Sequence, residues 1–358
     1  MANQETGTGA SRVFFLNSAD ATSNLSGASL TTDYIFIPDE SIVVPPHHTI
    51  LMSIHHTQIP YSFYNFQLNR NCKLDYSLTA YDTGASGDTG SITLEEGNYN
   101  ASSLLSAITT ALNAESNVGT LTMRFNRDTL KYEYQWVPDA GAGYKRLTLR
   151  IASGNNASTN CRNEMGFNSN KFIDGVSSYD VWIENNGTNL RGGYSTSDGT
   201  STTLFDTTTT PNATYWDGDN TAEDKNYFSV VDMNASIRSL YIRTNLTQHS
   251  VLDSSIGGGF SSILARIPID VQSGGIITIS PSDGSVHKLM LKIREITFFQ
   301  LRLTDQQNRI IDLNGLDWDI SLQFDFIEKP ALVVPKDKRQ QIDDNIYQKF
   351  KEEKESKK

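Results

Sequence analysis

The segment Asp317-Trp-Asp-Ile-Ser-Leu-Gln-Phe-Asp-Phe326 decides the fold class, because its apolar and polar residues alternate without interruption. From Trp318 onward every second residue is apolar, and the residues between them are Asp, Ser or Gln. Successive side chains of a β-strand point to opposite faces, so this pattern predicts a strand with one buried face and one exposed face. The same alternation recurs at 240–246 and 263–269. We therefore predict a C-terminal third made of antiparallel strands.

Strand signals also occur near the N-terminus. Residues 34–37 and 50–59 read as strands that end at prolines, which cannot donate to a β ladder. Between 291 and 303 the apolar phase slips twice, which predicts bulges or corners in a bent strand.

Length and charge exclude several classes of protein. The 358 residues allow one β-rich core with a sizeable insertion. The formal net charge is -11 and the pI is about 5.0, which argues against a direct nucleic-acid partner, since phosphates need clustered Lys and Arg. No run of 18 apolar residues is present, so we predict no transmembrane segment. Residues 1–9 lack the features of a signal peptide, and we expect assembly inside the cell rather than secretion.

The middle of the chain has a different character. Asn100 is predicted to cap a helix that runs to about Asn113. Its apolar stripe comprises Leu104, Leu105, Ile108 and Leu112. A hairpin is predicted next, with two alternating segments joined by a turn at 126–129. Cys72 and Cys161 fit no zinc or redox spacing and are predicted to be buried thiols.

Two further segments are predicted to lie outside the cores. Residues 184–224 are rich in Gly, Ser, Thr, Asn and Asp, which predicts a long surface loop. Residues 336–358 carry eight basic and six acidic residues, with Ile342, Ile346, Tyr347 and Phe350 at helical spacing. This C-terminal tail is either a solvated helix or a docking helix for a partner.

These observations predict four regions. They are an N-terminal arm with the first strands (1–89), an inserted helix-plus-hairpin (α+β) subdomain with its exposed loop (90–226), the remaining strands (227–330) and the charged tail (331–358).

The histidine pairs do not predict a metal site. His47-His48 and His55-His56 flank one strand, and a strand rises about 3.3 Å per residue, so the pairs lie roughly 26 Å apart. One metal ion cannot be shared across that distance, and neighbouring histidines point to opposite faces.

Three other functional motifs are excluded because the residues that they need are absent or misplaced. An EF-hand loop beginning at Asp217 would need Gly and Glu where the chain has Ala222 and Phe228, although a looser oxygen-ligand site stays open. Gly257-Gly-Gly259 precedes a predicted strand rather than a helix, so it is not a phosphate cradle. No Gly-x-Ser-x-Gly is present. We therefore predict no enzyme, no catalytic residue, no cofactor and no metal.

Several segments resemble one family of viral proteins. They are Pro45–Asn65, Glu96–Asn100 with its helix, Leu240–Leu246, Gly257–Pro268 and Ile310–Ile320. In this order they resemble the penton, or minor capsid, proteins of virophages and polinton-like viruses. The resemblance covers about residues 12–328, excluding the 184–224 segment and the tail.

The resemblance implies a single jelly-roll β-sandwich, often with an inserted subdomain. It also implies that five copies form a homopentamer that closes each fivefold vertex of an icosahedral capsid, among double-jelly-roll major capsid proteins. The expected location is then the virion vertex, with the major capsid protein as partner and other minor capsid proteins reached through the tail.

Subunit-interface candidates come from two segments that place glycine or aromatic residues where a solvated loop favours charge. These candidates are Gln58, Tyr61, Phe63, Tyr64, Gly258 and Phe260.

Three alternatives remain open. The first is a non-vertex minor capsid or cement protein. The second is a lectin-like receptor-binding module on a virion, for which Tyr215-Trp216-Asp217 is the candidate cluster. The third is a cupin-type metalloenzyme, which would need His249 and His287 to converge inside a barrel.

Overall fold

The structure, a computed structural model, describes most of the chain. The described residues are 10–26, 31–80, 86–167, 179–196, 200–207, 215, 219–220, 225–226, 230–247, 251–253, 259–280, 288–329, 346–347, 349, 352 and 355.

The described residues are mostly β-strand, with one α-helix of 14 residues, α1 (Ala101–Ala114). The strands are β1 (Ser11–Asn17), β2 (Ser23–Asn24), β3 (Asp33–Phe36), β4 (Ile42–Val43), β5 (His48–Pro60), β6 (Lys73–Thr79), β7 (Ser86–Thr93), β8 (Thr120–Asn126), β9 (Lys131–Val137), β10 (Arg146–Leu149), β11 (Tyr179–Asn185), β12 (Leu190–Thr196), β13 (Ser201–Thr207), β14 (Asp219–Asn220), β15 (Lys225–Asn226), β16 (Ser239–Thr244), β17 (Val251–Asp253), β18 (Gly259–Ser261), β19 (Ile263–Pro268), β20 (Ile276–Ile279), β21 (Leu289–Leu291), β22 (Glu295–Ile296), β23 (Phe299–Thr304) and β24 (Asp319–Glu328). None of the described helical segments has the length and apolarity that a membrane span needs.

Eight of these strands form two sheets with the order of a jelly roll. The first sheet runs β1-β24-β5-β20, and the second runs β19-β16-β23-β3. Numbered by chain order among the eight, the sheets read 1-8-3-6 and 5-4-7-2, and every neighbouring pair is antiparallel. This interleaving of first and last strands is the jelly-roll topology. The predicted jelly-roll sandwich is confirmed by the chain's own strand order.

The jelly-roll core lies between these two sheets, as the alternation in β24 predicts. Ile320, Leu322, Phe324 and Phe326 are buried in it, together with apolar residues of the second sheet. The ring of Phe324 meets Phe14 at 5.5 Å and Phe299 at 6.0 Å between centroids. The phase slips at 291–303 mark corners, because the chain there forms three short strands, β21, β22 and β23, with three different partners.

The insertion between β5 and β16 has a core of its own. Its sheet has the order β13-β12-β11-β10-β6-β7. The helix α1 and the β8-β9 hairpin contribute Leu104, Ile108, Leu112 and Trp136 to this second core. The predicted helix and hairpin are confirmed, including the cap, since the Asn100 side chain accepts from the backbone N–H groups of Ser102 and Ser103. We call this part the inserted body.

The inserted body begins earlier than the sequence predicted. Phe66 already belongs to the second core, and β6 and β7 pair with each other inside its sheet. The boundary predicted at residue 90 would have left both strands with the jelly roll. The physical reason is that Leu74, Tyr76 and Leu78 of β6 are buried in the second core, and β6 pairs with β7 and β10 of the inserted body.

The predicted long loop at 184–224 needs correction for its described part. Residues 190–196 and 201–207 form the paired strands β12 and β13, which extend the sheet, and Leu190 and Leu204 are buried in the second core; residues 197–199 lie outside the described residues. Small residues are required there: a Cβ at Gly193 would lie 2.5 Å from the ring of Trp182, its cross-strand partner. Composition alone therefore misassigned a strand as a loop. Residues 208–214, 216–218 and 221–224 lie outside the described residues.

Candidate interaction surfaces

The predicted interface segment at 58–65 divides between surface and core. Gln58 is exposed on β5, opposite Asp319. Tyr61 and Phe63 are buried in the jelly-roll core, where their rings stack with centroids 4.4 Å apart. The chain's own core covers both side chains and leaves little of their surface for a neighbouring subunit, so their contact with one stays a prediction. Tyr64 is on the surface.

The second predicted interface segment is described only in part. The backbone of Phe260 lies in β18, opposite Leu252 of β17. Gly258 lies outside the described residues. The structure therefore does not bring the six candidates together into one surface.

The four described histidines lie on strand β5 or just before it. His48 is the first residue of β5, and its ring Nδ1 lies 2.9 Å from the carbonyl oxygen of Pro46. His55 occupies a bulge, since Leu322 pairs with Ile54 and the preceding Ser321 pairs with His56. Within the described residues no group of three His, Cys, Asp or Glu side chains comes together that could hold a metal ion. His249 and His287 lie outside these residues.

Both cysteines are buried in the inserted body as free thiols. Burial raises the pKa of the Cys72 thiol to about 12, with a further contribution from the charge of Glu96. Burial also raises the pKa of Cys161, whose Sγ lies 3.5 Å from the Sδ of Met165. Reactive thiolates are disfavoured at both positions.

The proposed sugar-binding cluster is described at one residue only. The guanidinium of Arg124 lies over the ring of Tyr215, 4.1 Å from its centroid, and occupies one face of that ring. Trp216 and Asp217 lie outside the described residues.

An exposed apolar surface lies on β1, within the predicted N-terminal arm. Phe14 packs against the jelly-roll core and Leu16 is buried in it, so Val13 and Phe15 point outward, and Phe15 is 78% exposed. Among the described strands, β1 pairs only with β24 and is an edge of its sheet. The alternation in Val13-Phe-Phe-Leu16 could have identified this surface, because two of four consecutive apolar residues must face outward.

A second group of exposed apolar residues lies at one end of the jelly roll. Ile37 follows β3, Val43 is in β4, and Phe298 precedes β23; they are 54%, 62% and 39% exposed. We call these three residues the apolar end. The connection from β3 to β5 passes through this end, whereas β5 runs away from it and enters the inserted body at the opposite end. Hydrophobicity does not distinguish this group in the sequence, since each member lies beside an apolar neighbour that is buried or partly buried.

The two chain segments that join the jelly roll to the inserted body meet at buried polar groups. Glu164 is buried, and its Oε1 accepts hydrogen bonds from Asn71 Nδ2 at 2.9 Å and Ser236 Oγ at 2.5 Å. Burial raises the pKa of the Glu164 carboxyl, and Asp232 adds to the shift, while the hydrogen bonds from Ser236 and Asn71 oppose it. These contacts fix where the insertion leaves and rejoins the sandwich.

An ion-pair network lies beside this junction. Asp305 is fully buried and lies 2.6 Å from Arg309 Nε and 3.4 Å from Arg70 Nη1. Arg70 comes from the start of the inserted body, whereas Asp305 follows β23 of the jelly roll. Burial lowers the pKa of Arg70, with a further contribution from Arg309 that Asp305 opposes. The carboxylate therefore joins the two parts.

Comparisons with known proteins do not assign the chain to a family. No family model matches the chain, and no curated protein matches it. Among solved structures, a crystal structure of the selenomethionine-labelled mavirus penton protein matches with 13% sequence identity and a TM-score of 0.44. The match covers 88% of this chain and 100% of that chain. These values do not assign the chain to a family, so the fold rests on the strand order described above.

Proposed function

We propose that this protein is a non-enzymatic viral capsid protein that forms a homopentamer at the fivefold vertices of an icosahedral capsid. The observation that carries the proposal is the jelly-roll strand order together with the position of the penton-like motifs within it. Pro45–Asn65 contains the central strand β5, Gly257–Pro268 contains β18 and β19, and Ile310–Ile320 leads into β24. The motifs thus fall on the strands that build the sandwich.

The arrangement of surfaces supports assembly into a ring. A cyclic ring joins unlike faces of successive copies, so each copy needs two different sides. The jelly roll has two different outer faces: that of the first sheet carries Phe15, Asp319 and Asp325, and that of the second carries Tyr241 and Arg266. We add the edge residues Val13 and Phe15 to the proposed contacts, alongside the exposed Gln58 and Tyr64.

The two ends of the sandwich support different roles. The inserted body leaves from one end, and the tail leaves from the other, beside the apolar end. In a vertex protein one end faces outward and the other faces the interior. We propose that the tail beyond Pro335 serves assembly rather than folding, and that the major capsid protein surrounds the ring.

Jelly rolls also occur in lectins and cupins, so the fold alone does not decide between these functions. Imaging of assembled particles tests the proposal directly. Density for this chain in rings of five on the fivefold axes is the expected result. Density away from those axes, or rings of three or six, would show a different capsid role.

A further inference from the structure

Exposed apolar side chains occur on the tail as well as at the apolar end. Residues 346, 347, 349, 352 and 355 of the tail are described, all helical and all exposed. Ile346 is 51% exposed and Tyr347 is 71% exposed. Burying large apolar side chains stabilises a complex, so leaving both sets in water is unfavourable.

The tail starts close to the apolar end. The backbone N–H of Lys329, just after β24, donates to the carbonyl oxygen of His47 at 2.7 Å. His47 lies between β4, which carries Val43, and the first residue of β5. The tail therefore begins on the side of the molecule that carries the apolar end.

The tail can reach a neighbouring copy. An extended chain spans about 3.3 Å per residue, so the segment from Lys329 to Ile346 can extend roughly 55 Å. A jelly roll of this size is about 40 Å across, judged from the radius of gyration of compact domains. Two jelly rolls that adjoin in a ring are thus within the length of this segment.

Charge favours the same pairing. Residues 336–358 carry eight basic and six acidic residues, whereas the whole chain has a formal net charge of -11. The rest of the chain is therefore strongly acidic and the tail is weakly basic. Around the apolar end, Asp39 and Glu40 follow Ile37, and Glu295 pairs with Val43. The nearby bases are Lys292, Arg294 and Lys329, so the attraction is between the tail and the acidic chain as a whole.

We propose that the tail helix of one copy docks through Ile346 and Tyr347 on the apolar end of a second copy. The partner is thus another copy of this chain rather than a different minor capsid protein. The inference rests on the proposed function only in that copies adjoin around a vertex. An amphipathic helix that packs apolar anchors on a partner's apolar surface is a common mode of recognition.

Cross-linking between two full-length variants tests the contact. One variant carries Ile346→Cys and the other carries Val43→Cys, and they are mixed at equal concentration with a short bismaleimide. Docking raises the local concentration of the two thiols, so we expect on the order of tenfold more mixed dimer than with a Leu130→Cys partner. Leu130 is a matched control, because it is 50% exposed but lies in the hairpin turn of the inserted body. The buried native cysteines do not compete.

A second experiment places a charge on the apolar end to weaken the proposed contact. Adding Phe298→Asp to the Val43→Cys partner is expected to reduce the mixed dimer to the Leu130→Cys level. A product equal to the control, or a faster cross-link within single chains carrying both cysteines, would overturn the inference. Ring size measured by native mass spectrometry separates the two proposals. Rings of five without the cross-link contradict only the tail contact, whereas the cross-link in rings of another size contradicts only the vertex role.

Discussion

The jelly roll and the inserted body are both antiparallel β structures, but they bury their strands differently. In the jelly roll, β24 buries Ile320, Leu322, Phe324 and Phe326 and leaves Gln323 and Asp325 partly exposed. In the inserted body, all seven residues of β11 are buried, including Asp180 and Glu184. The first kind of strand is visible as alternation in the sequence, whereas the second is not.

The two acidic residues of β11 are buried together with partners. Asp180 accepts hydrogen bonds from the backbone N–H groups of Ala152 and Ser153, at 2.8 and 3.0 Å. Glu184 pairs with Arg146 at 2.8 Å, and Arg146 also lies over the ring of Trp182. Alternation therefore predicts sheets with one wet face and fails where polar groups are satisfied inside the protein.

The largest effect is expected from the jelly-roll core. Phe324→Ala should lower the free energy of unfolding by about 4 kcal/mol, because it leaves a cavity between Phe14 and Phe299. Phe15→Ala is the matched control: the same change on the neighbouring strand, at an exposed position, should cost about 0.5 kcal/mol or less. Urea unfolding measures both. Equal losses for the two variants would show that the inner face does not control the stability of the sandwich.

The junction tests whether the two cores unfold separately. Asp305→Ala should lower the free energy of unfolding by about 3 kcal/mol, because Arg70 and Arg309 lose the buried carboxylate that they share. We expect tryptophan fluorescence from both cores to shift to lower urea, since Trp318 reports on the jelly roll and Trp136 on the inserted body.

The control for this junction is Asp312→Ala, an exposed aspartate in the same connection between β23 and β24. It should leave both transitions within about 1 kcal/mol of the parent. A loss confined to the Trp318 signal in Asp305→Ala would show that the network belongs to the jelly roll alone.

The sequence could predict the parts of the fold in which local chemistry and tertiary environment agree. The capped helix at 101–114 was predictable because Asn100 and the apolar stripe act within one helix. The jelly roll was expected from a family resemblance rather than from periodicity, since periodicity does not specify which strands pair. The burial of Tyr61 and Phe63 was not predictable, because an aromatic residue after a strand can turn back into the core as readily as it can face a partner.

The β12-β13 hairpin tests the corrected region of the inserted body. Leu204→Ala should lower the free energy of unfolding by about 2.5 kcal/mol, because Leu204 is buried in the second core. Leu130→Ala, at an exposed position of the same body, should cost about 0.5 kcal/mol or less. Thermal unfolding followed by near-UV circular dichroism compares them. If both variants are as stable as the parent, burial of Leu204 does not stabilise the inserted body, which would favour a surface loop here.

The smallest effect concerns the pH dependence of the junction. The folded-state pKa of Glu164 is raised by burial, so the fold binds its proton more tightly than the unfolded chain does. This contribution to stability is fully present below the unfolded-state pKa and is lost as the pH rises through the folded-state value. Glu164→Gln keeps an oxygen acceptor for Asn71 and Ser236 but removes the charge. The difference in unfolding free energy between pH 5 and pH 8 should therefore shrink in this variant. Glu40→Gln, at an exposed position, should leave that difference unchanged, and an equal effect of both substitutions would exclude Glu164 as its source.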